Sequence, residues 1–413
     1  MHSRFTALYT LLIALALTNA NPLQPRQDST ATTYTTSISS TDSVTTSATS
    51  SSSVTSTTTG TSGVPAKSPP AVKKPKGGIG FDAFPQYKAK SDFDWQSFYL
   101  GLHQELIELD IFRSAAANFT GDQLSEAGLT EEDRYLINFM ADQEVGHATM
   151  LSNMISVDWQ YIAQCTYSYP NSTVREWIDF SRLVTRYGEG GTIGFLGHLN
   201  SQEGASLIND AIQTEGRQQM IFRQWEGLFP MPFWFTTSIT QSMQWTLLAP
   251  YIATCPADAP RIAWTAFPGL NITNNPSLLS NDSQPDITTN GTGTDANPGF
   301  QLQLSWDAPG KATGWNDSYS TATLAKGKPK WVAWISQLNT TYTPLENVST
   351  NKDGSGNGTT VQPGDRVYGE GTAPLLNGTV YTLVTDANPY VTPYNLSTIE
   401  AHIVAGPALF NIA

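Results

Sequence analysis

The sequence predicts an α+β protein: an up-down four-helix bundle in the N-terminal half, followed by a β-rich, sandwich-like region. Two observations carry that prediction. Over residues 93–245 apolar side chains recur three and four apart, the period of an amphipathic helix, with capping residues ahead of each run. After Cys255, Gly, Asn, Thr and Pro become frequent, and apolar residues alternate in short runs at 300–306, 330–335, 380–384 and 399–404, the period of half-buried strands.

The chain opens on a leader pattern. His2 and Arg4 precede an apolar run over 8–17 and a small-residue site at Asn19 and Ala20, so residues 1–20 read as a secretory signal peptide cleaved near Ala20. That run is too short to span a bilayer, and no later stretch offers the roughly 18 uncharged apolar residues of a membrane helix, so no membrane span is expected. The apolar C-terminus follows no polar spacer, which argues against a glycolipid anchor. Residues 21–78 form a linker. Ser and Thr dominate 28–65, a composition that cannot bury apolar surface and suits an O-glycosylated stalk, and Pro, Lys and Gly continue it to 78. The remaining stretch of about 330 residues suffices for two domains, a bundle over 79–258 and a β-rich domain over 259–413.

Each helix has its own start signal. The first opens near Asp92 or Asp94 and runs to 117. The second follows Thr130, with Asp133 three residues on in capping-box spacing, and runs to 155. The third follows Thr173, with Glu176 in the same role, and runs to about 199. The fourth covers about 203–225, and a shorter amphipathic piece over 237–248 packs beneath them.

A formal charge of -13 with no basic stripe argues against nucleic acid as a partner. The two cysteines, Cys165 and Cys255, have no cysteine or histidine neighbour at metal-ligand spacing, and a secretory context permits a disulfide between them. Closing a loop of about 90 residues would contribute something like 4 kcal/mol in the chain-entropy model. Glycosylation acceptor sequons crowd the β-rich half at Asn271, Asn281, Asn290, Asn316, Asn339, Asn347, Asn357, Asn377 and Asn395, with Asn118 and Asn171 at helix ends in the bundle.

The informative feature is where the acids fall on each helix. In the second, Ile137, Ala141, Leu151 and Met154 form an apolar stripe, and Glu144 and His147 lie on it at i and i+3. In the first, Phe98, Leu102, Leu109, Phe112 and Ala116 make the stripe, with Glu105 at its centre and Glu108 beside it. In the fourth, Glu215 and Gln218 lie between Ile208, Ala211 and Phe222. Glu189 in the third is set among Gly188, Gly190 and Gly191, on the edge of an irregular apolar face. Carboxylates buried together cost several kcal/mol per ion, so something must neutralise them. Di-iron and di-manganese bundles use one Glu from each of two helices and a Glu-x-x-His from each of the other two. Here Glu105 and Glu189 would be the single carboxylates and Glu144 with His147 one complete pair; the second pair is incomplete, reading Glu215 and Gln218. Glu108 is the weaker candidate on its helix, placed as a supporting or surface residue. His103 and His198 lie off the seam and read as structural, and His402 sits in an expected strand with no visible partner.

Three segments, CTYSYP at 165–170, YGEGGTIGF at 187–195 and TEGRQ at 214–218, resemble the secreted fungal ferritin-like stress-response family, related to plant desiccation-related proteins. The similarity covers about residues 80–260 by motif. It implies a ferritin-like up-down four-helix bundle with a β region after it, and a candidate metal site at Glu105, Glu144, His147, Glu189 and Glu215, with no known reaction. Gln218 departs from the pattern, which places His there, and a neutral amide oxygen is a poorer ligand for iron than an imidazole. One asymmetric site, a mononuclear site and a metal-free bundle with protonated carboxylates are all compatible with these residues.

Other templates fall away. No Gly-rich phosphate loop follows a strand, no G-x-S-x-G elbow occurs, and the acids are spread over a bundle rather than set across a glycosidase cleft. Two readings compete: a secreted stress-response protein holding iron or manganese for oxygen or peroxide chemistry, and a non-enzymatic cell-wall or surface protein with a metal-free bundle. In the latter the stalk and β-rich domain would contact wall polysaccharide or glycoproteins. Neither an enzymatic reaction nor the oligomeric state is fixed by the sequence.

Overall fold

The computed structural model of the protein describes residues 84–155, 165–277, 284–286, 297–364 and 375–412. The expected leader, the whole Ser/Thr-rich linker and the acceptors Asn281 and Asn290 lie outside these residues. The described residues all fall within the compact unit Gly77–Ala413.

Caps set the helix boundaries where the sequence places them. Helix α1 (Asp92–Asn118) starts at Ser91, whose hydroxyl accepts the Asp94 N–H at 3.1 Å. The expected order omits a short helix, α2 (Gly121–Glu126), which has its own Thr120/Gln123 capping box. Helices α3 (Glu131–Met154) and α4 (Val174–Leu196) begin at the expected Thr130/Asp133 and Thr173/Glu176 boxes, α5 (Gln202–Trp225) at Ser201 and α6 (Gln241–Leu248) at Thr240. In the bundle α1 packs along α3 and α4, and α4 along α5. The fully buried Asp94 locks the start of α1 to the α4–α5 turn by accepting the N–H groups of Asn200 and Ser201 at 2.8 and 2.9 Å.

Strands β1 (Thr166–Tyr167) and β2 (Ile252–Thr254) pair antiparallel, and the Cys165–Cys255 disulfide ties them beside the bundle. The remaining strands are β3 (Leu270–Ile272), β4 (Gln301–Trp306), the small pair β5 (Ala312–Thr313) and β6 (Tyr319–Ser320), β7 (Trp331–Ser336), β8 (Asn339–Pro344), β9 (Glu346–Thr350), β10 (Gly356–Val361), β11 (Thr379–Thr385) and β12 (Ile403–Asn411). Apart from β5 and β6 they form two four-stranded sheets, ordered β3-β4-β10-β9 and β12-β11-β7-β8.

The second sheet is buried on both faces. Val332, Trp334, Val380, Val384 and Phe410 meet Leu302, Leu304 and Trp306 of the first sheet, while Ala333, Ile335, Tyr381, Leu383 and Ile403 join the helical core. The molecule is therefore three layers: helices, sheet, sheet. The expected strand at 399–404 starts later than its alternation suggests, because residues 393–402 form a 3-10 turn that buries Ile399 and Leu396 before β12 begins. His402 ends that turn and does have a partner, Asp386, at 2.9 Å.

Helix α1 differs from the expected one-sided stripe. Ala116 is exposed and Leu109 half-buried, whereas Ile107, Ile111 and His103 are buried. The strand-rich part covers the far side of α1, stacking Trp315 on His103 at 5.2 Å. Neither His103 ring nitrogen finds a hydrogen-bond partner among the described residues, and burial pushes its pKa down to about 4. The folded state thus resists the protonation that the unfolded chain undergoes near its ordinary 6.5, and stability is lost as pH falls from that value through about 4. His103→Phe should flatten this loss: the stability difference from the wild type, measured by urea unfolding, is expected to shift by about 2–3 kcal/mol between pH 7 and pH 4.

Candidate metal centre

Three bundle helices aim ionisable side chains at one point. Among the described residues, one ligand atom each from Glu105 on α1, Glu144 and His147 on α3 and Glu215 on α5 lie within 4.8 Å of one another. All four side chains are buried. His147 Nδ1 sits 3.0 Å from Glu144 Oε2 and 3.2 Å from Glu105 Oε2, and its Nε2 is 3.0 Å from Thr214 Oγ1. The Thr214 hydroxyl already donates to the Ala211 carbonyl at 2.8 Å, so it accepts from Nε2–H. The carboxylates beside Nδ1 favour the protonated, cationic ring. Burial opposes that charge, but the Glu144 contact and the neighbouring Glu215 and Glu108 outweigh it and raise the His147 pKa.

The carboxyls are pushed toward their neutral form. Burial first, then the charge of their neighbours, holds Glu105, Glu108 and Glu215 well above the ordinary carboxylate range. Glu215 is the extreme case: it is fully buried, and neither of its oxygens has a hydrogen-bond partner among the described residues. Such an orphan normally costs several kcal/mol, and its cost vanishes if the oxygens face a cation.

The other expected ligands lie differently. Gln218 turns its amide nitrogen to Glu144 Oε1, donating at 2.6 Å, so it positions a carboxylate through a hydrogen bond. Glu189 is outside the four-residue group and faces Arg186 of the same helix, with Nη1 2.7 Å from Oε2. Glu108 is buried and held by Gln104 Nε2 at 2.6 Å and by the Thr185 hydroxyl at 3.2 Å. Gln104, Thr185, Thr214 and Arg186 received no role from the sequence, the three neutral residues because they carry no spacing signal. Arg186 could have been found, since it lies three residues before Glu189 on the same helical face.

The glycines around Glu189 do not interrupt α4, which runs as one α-helix through them. A Cβ on Gly188 would meet Gln104 at 3.0 Å, and one on Gly194 would lie 1.9 Å from the Ile239 carbonyl oxygen. The run exists for close approach, bringing α1 and the segment ahead of α6 against α4.

An antiparallel helical bundle with inward carboxylates and histidine defines a ferritin-like domain, and a family model of that description matches residues 91–227. The chain is 42% identical over 355 residues to Protein rds1 of Schizosaccharomyces pombe (strain 972 / ATCC 24843), spanning 83% of this chain and 86% of the relative. The chain belongs to the family of ferritin-like proteins that includes Protein rds1.

Proposed function

We propose that this is a secreted, glycosylated ferritin-like protein whose bundle binds one iron or manganese ion through Glu105, Glu144, His147 and Glu215. The observation that carries the reading is Glu215, a fully buried carboxylate with two unpartnered oxygens beside three further ligand groups. Three carboxylates and one imidazole favour a hard or borderline cation over a soft one. When bound, such an ion supplies Lewis acidity and redox reactivity toward oxygen or peroxide.

The surrounding residues support one ion rather than two. Gln218 is spent on orienting Glu144, and the Arg186 guanidinium neutralises Glu189, the carboxylate a second ion would need. His147 must give up its Nδ1 proton before that nitrogen can ligate, so uptake should release protons and tighten as pH rises. Secretion is supported by the leader pattern at 1–20, the disulfide, and sequons such as Asn118, Asn271, Asn347 and Asn357 that are exposed. Among the described residues no helix is long and apolar enough to cross a membrane.

A second reading, a metal-free scaffold for a wall or surface stress role, draws on His147, whose ring when protonated offsets part of the carboxylate charge. Metal analysis by mass spectrometry on protein purified without nickel resin separates the two. About one iron or manganese per chain is expected, lost in the Glu144→Ala/His147→Ala variant. Saturation at about 100 times the dissociation constant should add about 2.7 kcal/mol to wild-type stability only. Metal-free protein whose melting ignores added iron or manganese would leave the scaffold reading.

A further inference from the structure

Where α4 ends against the strand-rich part, an open groove of about 500 Å³ is lined by His198, Trp234, Phe235, Leu338 and Tyr394. Its rings are unusually open to solvent: Tyr394 is 73% and Trp234 54% exposed. His198 and Tyr394 lie with ring centroids 4.9 Å apart. Exposed apolar residues are ordinary singly, but a contiguous aromatic surface marks something that binds there. No Asp, Glu, Lys or Arg lines the groove, while Thr236, Ser238 and His198 offer hydrogen bonds. That combination suits a neutral, hydroxyl-rich ring with an apolar C–H face, which packs on the negative face of an aromatic ring. A pyranose has that build.

Two acceptors directly follow lining residues in the chain, Asn395 after Tyr394 and Asn339 after Leu338, the latter in the sequon Asn339-Thr340-Thr341. It closes the tight β7–β8 turn, opposite Ser336, with Gln337 at φ 51°. Asn339 lines a small depression together with Ser238, Leu338 and Pro393, which also line the groove. Four other acceptors in the strand-rich part have engaged amides, whereas Asn271 and Asn357 lie exposed on strands away from the groove lining. Asn377 donates to the Pro232 carbonyl, Asn395 donates to Tyr390 and caps Thr392, Asn316 donates to Cys255, and Asn347 to Thr359. The Asn339 side chain makes no hydrogen bond among the described residues.

We propose that Asn339 carries an N-linked glycan whose first sugars lie in this groove against Tyr394 and Trp234, an inference that rests on the secretory reading above. Attachment replaces one Nδ2–H bond by a bond to the anomeric carbon of the sugar. The donor is a lipid-diphosphate-linked oligosaccharide, the lipid diphosphate leaves, and the Nδ2 proton is released. The seated sugar shields the rings, so glycan and groove stabilise each other.

Glycopeptide mass spectrometry of the full secreted chain, with melting curves for wild type, Asn339→Gln, Tyr394→Ala and the double variant, tests this. Asn339 is expected to be occupied. Each single change should lower Tm by about 2 °C or more, the double no further than the lower single, and endoglycosidase treatment of folded wild type should reproduce the shift and increase acrylamide quenching of tryptophan. Glycans at Asn118, Asn271 or Asn347 with Asn339 bare would overturn the inference and leave secretion standing, whereas a chain bare at every acceptor would overturn both. Strictly additive or absent Tm effects, or binding of soluble glucan oligosaccharides in the groove of fully glycosylated protein, would equally sink it.

Discussion

Replacing Glu215 by leucine is expected to abolish metal uptake and, in the metal-free state, to make the protein more stable by about 1–4 kcal/mol. The two effects have one cause. The carboxyl group is fully buried, its oxygens are unpartnered, and Glu105, Glu108 and Glu144 surround it with like charge. A leucine of similar volume removes that cost and adds apolar contact with a core that already holds Ile212 and Phe222 on the same helix. A site kept for function against stability should show this trade. The measurement is urea unfolding of chelator-treated wild type and Glu215→Leu, with metal content on parallel untreated samples. A variant that is less stable when metal-free would mean that the carboxyl has a folding role, and the argument from its unpartnered oxygens would fail.

Gly194→Ala should be among the most damaging single-methyl additions in this chain, costing about 4 kcal/mol or more. The new Cβ would stand 1.9 Å from the Ile239 carbonyl oxygen, inside any permitted contact, and the obstacle is backbone on both sides. No rotamer change can relieve it. Relief requires the 237–240 segment to lift from α4, which would break the Ile239 N–H bond to the Gly190 carbonyl at 3.0 Å and disturb Thr237, whose hydroxyl bonds β11 through the Thr379 carbonyl. Gly146→Ala is the control, since a Cβ there meets nothing within 4 Å. Alanine's helix propensity should make that change neutral or stabilising by up to about 1 kcal/mol. Thermal melts of the two variants should move in opposite directions; equal, small shifts would show that α4 and the segment beside it are not held at the distance seen.

Much of the candidate site was legible because helical geometry is local. Glu144 and His147 at i and i+3, Glu105 on an apolar stripe and Glu215 on another must point inward if their helices pack at all, and the capping boxes at Thr130 and Thr173 fix where those helices start. Glu189 and Gln218 show the limit of the argument. Both face inward as their positions dictate, yet each meets a residue brought by packing: Glu189 meets Arg186, and Gln218 reaches across to Glu144 on another helix. Which of several inward polar groups share one point depends on helix rotation and offset, and periodicity is blind to both.

The sequence by itself determined the four long helices and the strand-rich region after them, the capping boxes at Thr130 and Thr173, the inward acids and the two cysteines, because each depends on spacing along one segment. Only the tertiary structure decided that the β12-β11-β7-β8 sheet is buried on both faces, that α1 is enclosed all round with His103 stacked under Trp315, and that four acidic and imidazole groups converge while Glu189 stands aside. Those outcomes depend on which surfaces meet across long sequence separations. A buried face and its cover are encoded in different parts of the chain, so neither reveals the other until they are packed together.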